Sequence, residues 1–255
     1  MRRALHAEWA KARSDPGVAW LLATLVTLSV AVSAVSVAAS RCQGAGCGQD
    51  PARISLTGVY LGQVVAALAG VLAIGGEYGT GMIRLTLAAI PRRGRLLAAK
   101  AIVLAGPVLV AAILGVAASM LAGRVILPGH GFTAASGFDL GGVAMWRASL
   151  CAVLDLTLIA LLGLGVAAAV RDSAVAVGVT LGVLYLFPIA AGLVRDPTLL
   201  RHLEQVGPLT AGLYSQSTAG LQALPLSPWQ GLGVVALWAA AALILGAVVL
   251  RVRDA

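Results

Sequence analysis

The run A-S-L-C-A-V-L-D-L-T-L-I-A-L-L-G-L-G-V-A-A-A-V (Ala148–Val170) leads through Arg171-Asp172-Ser173 into A-V-A-V-G-V-T-L-G-V-L-Y-L-F-P-I-A-A-G-L-V (Ala174–Val194). A helix rising 1.5 Å per residue needs about 20 apolar residues to cross a hydrocarbon core of about 30 Å, and each run supplies that length. The polar linker is so short that the two helices must be antiparallel neighbours. The same signal recurs at Val18–Ala39, Ile54–Gly76, Leu97–Ala122 and Gly231–Leu250. The pattern predicts an all-α, polytopic membrane protein with six transmembrane helices.

Composition agrees. The chain is 60% hydrophobic and 11% charged, where soluble domains average about 45–50% and about 25%. A soluble fold must cover itself with polar groups and cannot bury this excess, and the low charge excludes a disordered chain. The net charge of +8 does not point to nucleic acid, because the basic residues lie between apolar stretches rather than on one soluble face. Lys11 and Lys100 are the only lysines. Positive charge carried almost wholly by Arg, with abundant Ala and Gly, fits a GC-rich bacterial genome and a bacterial plasma membrane.

An even number of spans places both termini on one side. With the termini inside, the inner segments hold twelve of the 18 basic residues, including Arg2, Arg3, Lys11, Arg92, Arg93 and Arg95. The positive-inside rule therefore predicts an N-in, C-in orientation. The first apolar run is longer than a signal-peptide core of about 7–15 residues, and Arg41 stands where a lipoprotein needs a small residue before Cys42. The first span is expected to stay. Gly58/Gly62 and Gly178/Gly182 fit the small-residue spacing that lets membrane helices approach closely, and read as ordinary packing.

Two inner segments offer mechanical handles. In Met1–Ser14, Met1, Leu5, Trp9 and Ala12 share one helical face while Arg3 and Lys11 point away, and Pro16-Gly17 break the helix before the first span. Residues 1–17 thus read as an amphipathic interface helix, or else as a disordered basic leader that only sets orientation. Residues 18–255 form the six-helix domain. Within it, Glu77–Leu97 opens with an acid, and Thr80 can cap a short helix, Met82–Ile90, which Pro91 closes. That helix is too short to span, and its apolar strip of Met82, Leu85, Ala89 and Ile90 must dock on the membrane surface or in a protein groove.

Here the chain resembles a known family. E-Y-G-T-G-M-I-R-L-T-L (Glu77–Leu87), P-R-R-G-R-L-L-A-A-K (Pro91–Lys100), A-E-W-A-K (Ala7–Lys11) and L-G-L-G-V-A-A-A-V-R-D-S (Leu162–Ser173) are similar to ABC-2 type export permeases. The resemblance covers nearly the whole chain. It implies export by a permease that pairs with a second copy, identical or related, and binds two copies of a cytosolic ATPase carrying the ATP and Mg. It makes residues 78–91 the coupling helix, with Glu77, Thr80, Met82, Arg84, Leu85, Arg92 and Arg93 at the ATPase contact. It also places Glu77 in a polar relay at the inner end of the second span. Ala10 departs from the polar residue that many relatives have.

No catalytic residue is expected. A P-loop needs G-x-x-x-x-G-K-[ST], and both lysines are flanked by alanines. An intramembrane protease is the enzyme alternative. Ser136 and His130 fall in an outer loop, His6, His130 and His202 form no H-E-x-x-H pair, and Asp155 is the only acid inside a span. No metal site or resident cofactor is expected. Asp155, with Gln63 and Tyr60, is a candidate for the substrate path or a proton contact. The bland reading is a structural bond to Thr157, Gln63 or Tyr60, or a neutral acid. Cys42 and Cys47 flank the four residues Gln43–Gly46 in an oxidising outer loop, open between a small disulfide and free thiols. The outer segment 205–228 reads as a re-entrant helix or as an exposed loop helix. A non-transporting membrane scaffold or immunity protein remains the alternative to a permease. An apolar lining suits drugs, lipids or peptides equally.

Overall fold

The computed structural model describes residues 2–42, 49–82, 93–132 and 142–252. Among these the chain is helical, with no strand: α1 Arg2–Ser14, α2 Pro16–Ala39, α3 Pro51–Ser55, α4 Val59–Gly79, α5 Arg93–Ile126, α6 Val143–Val170, α7 Ser173–Leu193, α8 Pro197–Val206, α9 Pro208–Ser215 and α10 Pro228–Val252. Six of them (α2, α4, α5, α6, α7 and α10) are long and apolar enough to cross a membrane. By length and composition this is a multi-pass membrane protein.

α6 is the axis of the bundle, with α4 beside it. Their most apolar windows are 72% and 56% buried, against 17–28% for the other four. Glycine makes this possible. A Cβ at Gly70 of α4 would strike the Ala160 carbonyl of α6, and one at Gly163 would strike the Ala67 carbonyl of α4. On the far side of α6, Gly165 and Gly246 bring α10 equally close. With no hydrophobic drive between helices in lipid, such backbone approach supplies the van der Waals packing that holds them together. The outward faces keep Trp20, Val35, Leu186, Leu237 and Ile244 exposed, which a lipid-facing surface requires.

Several boundaries differ from the sequence expectation, among them the start of the fourth span at Val143 rather than Ala148. The second span begins at Val59 rather than Ile54, because Pro51–Ser55 folds as its own short helix under an Asp50 cap. The turn between them lies against α2: a Cβ at Gly58 would meet the Ser29 carbonyl, and the Gly58 amide donates to Ser33 Oγ at 3.0 Å. Gly58 and Gly62 thus pack as read, whereas Gly178 and Gly182 face open space. The third span reaches back to Arg93 and contains Pro107. At 34 residues it is about 51 Å long, well beyond one hydrocarbon core.

Where α6 meets α7, Arg171 adopts φ 65° and reverses the chain, and Asp172 accepts from the Val175 amide at 2.8 Å to start α7. The two helices are the antiparallel neighbours that the linker required. At this end of the bundle Arg93 donates to the Leu250 carbonyl at 2.7 Å and Arg171 to the Val249 carbonyl at 3.2 Å. Both carbonyls belong to the last described turn of α10.

The segment 205–228 is heterogeneous. α9 buries Pro208, Leu209, Ala211, Gly212 and Ser215, while α8 before it buries nothing. α9 is therefore packed into the bundle rather than carried on an exposed loop.

Candidate functional site

Three elements meet at the end of the bundle where α1 lies. Glu8 and Lys11, three residues apart on α1, share a face. α4 brings Glu77 in its last turn, and α5 brings Lys100 two turns from its start. Lys100 Nζ donates to Glu8 Oε2 and Glu77 Oε1, each at 2.8 Å, and lies 3.4 Å from the Ala73 carbonyl. Three acceptors match the three protons of an ammonium group. Lys11 Nζ reaches Glu77 Oε1 at 3.0 Å and Glu8 Oε1 at 3.5 Å.

Among the described residues two acids and two bases balance in charge here, and they differ in solvation. The Lys100 side chain is 2% exposed, Glu8 6%, Glu77 13% and Lys11 41%. Burial pulls the Lys11 pKa down, but the hydrogen bond and charge of Glu77, with Glu8 behind them, outweigh it and leave it above 10.5. Charges taken this far out of water are held by mutual neutralisation, and removing one strands the rest. The cluster joins α1 to α4 and α5, the helices on either side of residues 83–92.

α1 is seated on the bundle by Glu8, which is buried, and by Lys11, while Trp9 on the other face is 49% exposed. Thr80 closes α4, with Oγ1 donating to the Gly76 carbonyl at 2.9 Å. Met82 is exposed at 46%. Arg84, Leu85 and Arg92, with most of Met82–Ile90, lie outside the described residues. Arg93 is turned back onto α10. Sequence reading found Glu77 and missed Glu8 and Lys100. The signal was present: a lysine inside an apolar run needs an acid, and Lys100 has few to choose from.

The second polar site lies deep in the bundle. Asp155 and Gln63 are fully buried, and Gln63 Nε2 donates to Asp155 Oδ2 at 2.6 Å. Thr157 donates instead to the Val153 carbonyl at 2.9 Å. Tyr60 stands apart, edge-on to Tyr185 with ring centroids 6.1 Å apart. It lines a cavity of about 250 Å³ with Arg53, Ile54, Leu56, Thr57, Leu213 and Gln216. Asp155 and Gln63 are not in that lining, so the three candidate path residues divide between an open cavity and a sealed pair.

The end of the bundle away from α1 is tied down as well. Asp50 caps α3 and accepts from the Thr218 amide and hydroxyl, both at 2.6 Å, and from the Ala219 amide at 2.9 Å. Arg147 donates to the Ser217 carbonyl at 2.6 Å. Cys42 is disulfide-bonded while Cys151 is free and buried; Cys47 lies outside the described residues. His130 Nδ1 is 2.9 Å from the Ser40 carbonyl, and Ser136 lies outside the described residues. Among the described residues no three His, Cys, Asp or Glu side chains gather as a metal site. Compared with protein-family models and with curated proteins, the chain matches none.

Proposed function

We propose that this chain is the membrane subunit of an ABC-2 type exporter in a bacterial plasma membrane, with both termini inside. It supplies the substrate path, and ATP is hydrolysed by a separate ATPase bound in two copies beneath a pair of permeases. The observation that carries this reading is the Glu8–Lys100–Glu77–Lys11 cluster. A membrane scaffold has no need for buried ion pairs that fasten an interface helix to the two helices around a cytosolic connector. A machine driven from that connector does.

In this reading force applied at 83–92 enters α4 and α5 together, and the cluster keeps α1 moving with them. α4 then transmits the motion to α6 through the Gly70 and Gly163 contacts. Because those contacts join backbone to backbone, little of the motion is absorbed by side chains.

The experiment is purification of the tagged protein from its native host in mild detergent, with an ATP-hydrolysis assay on the eluate. A stoichiometric P-loop ATPase should copurify, and substitutions at Arg84 and Leu85 should release it while the permease stays folded. A folded permease that brings no such subunit overturns the reading. So does a connector that membrane-impermeant thiol reagents label from outside intact cells.

A further inference from the structure

The Asp155–Gln63 pair has an unbalanced hydrogen-bond account. Gln63 Nε2 donates to Asp155 Oδ2, but Asp155 Oδ1 and Gln63 Oε1 are both buried with no donor. Both are acceptors, and an ionised carboxylate has no proton to offer. α9 closes the site from the other side. Gly212 lies so near the carboxyl group that any Cβ there would collide with Oδ1. A bare carboxylate sealed in an apolar bundle without a counter-ion is among the costliest arrangements a protein can hold.

One proton resolves every term. A carboxylic acid and a primary amide pair through two reciprocal bonds, N–H to one oxygen and O–H to the amide oxygen. We infer that Asp155 and Gln63 form a proton-binding site, with the proton on Asp155 Oδ1 donated to Gln63 Oε1 and α9 as its cover. Binding forms one O–H bond on the carboxylate, takes the proton from bulk hydronium and leaves water. The site is thus a neutral acid–amide pair, and the proton leaves only when Gly212 is lifted from the carboxyl group. This does not rest on the transport reading.

The charged and titratable groups of the packed elements leave the pair alone. On α6 the cation is Arg147, about 12 Å along the helix, and it is bonded to Ser217. Cys151 is the other titratable group there. α4 brings Tyr60 near its start, with Glu77 and Tyr78 at its opposite end; α7 brings Tyr185, α9 Tyr214 and α10 only Arg251. Lys100 of α5 is committed to Glu8 and Glu77.

The test uses the full-length protein in lipid nanodiscs. At neutral pH an infrared difference spectrum, wild type minus Asp155→Asn, should contain the carbonyl band of one protonated carboxylic acid. A flat spectrum in that region overturns the site. Asp155→Asn should melt within a few degrees of wild type, because its amide also offers a donor and an acceptor. An asparagine variant that does not fold overturns the proposal as well, since the core would then depend on the negative charge. Gly212→Ala should displace the band; an unmoved band removes α9 from the site.

Discussion

The bundle contains two buried polar sites, and they solve the same problem in opposite ways. At the α1 end four charges cancel one another, and the most buried, Lys100, has three acceptors within 3.4 Å. In the middle, one acid faces one amide, with no charged partner among the described residues. The contrast follows from position. Near the membrane surface three segments can each contribute a long charged side chain, and Lys11 keeps one edge of the cluster wet. At the depth of Asp155 each further charge would have to lose all of its water, so the pair is completed with neutral groups. A charge cluster is hard to dismantle one member at a time, whereas an acid–amide pair can be erased whole.

Substitutions can break that contrast. Lys100→Met should have the largest effect, destabilising by about 3–5 kcal/mol because Glu8 and Glu77 lose their shared cation inside the protein. The drop should be visible in thermal unfolding, and adding Glu77→Gln should recover part of it. Gln63→Leu should cost less, about 1–3 kcal/mol, by leaving Asp155 without its donor. The double replacement Gln63→Leu/Asp155→Leu should return toward wild-type stability, which no pair drawn from the four charges can match.

The smallest effect belongs to the wet edge. Lys11→Ala should lose no more than about 1 kcal/mol, as for other half-exposed pairs. Its pH dependence follows from the raised pKa. A lysine whose folded pKa exceeds its unfolded one stabilises fully below the unfolded value of 10.5 and loses that contribution as pH rises through the folded value. The gap in melting temperature between wild type and Lys11→Ala should therefore be constant at neutral pH and close only above pH 10.5.

The six apolar helices and the tight α6–α7 reversal were legible in the sequence because they depend on local quantities: run length, linker length and hydropathy. Gly58 and Gly62 were legible as packing residues for the same reason. What was not legible depended on partners distant in the chain. Glu8 meets Lys100 across 92 residues, and no helical-wheel pattern on α1 announces that its acid faces inward. Gln63 and Asp155 are also separated by 92 residues, yet that pair could be named, because few polar side chains lie inside spans. The role of Thr80 at the end of α4 was not legible because a threonine between two helical signals can cap either. Its hydroxyl chose the carbonyl four residues back.

Pro107 has no amide proton, so the Val103 carbonyl goes without its helical donor, and the rod of α5 is soft at that point. Lys100 lies on one side of this weak joint, and Gly115, which packs on α2, on the other. The helix is thus two differently held halves joined at a weakened turn, the first tied by Lys100 to the charge cluster and the second seated on α2.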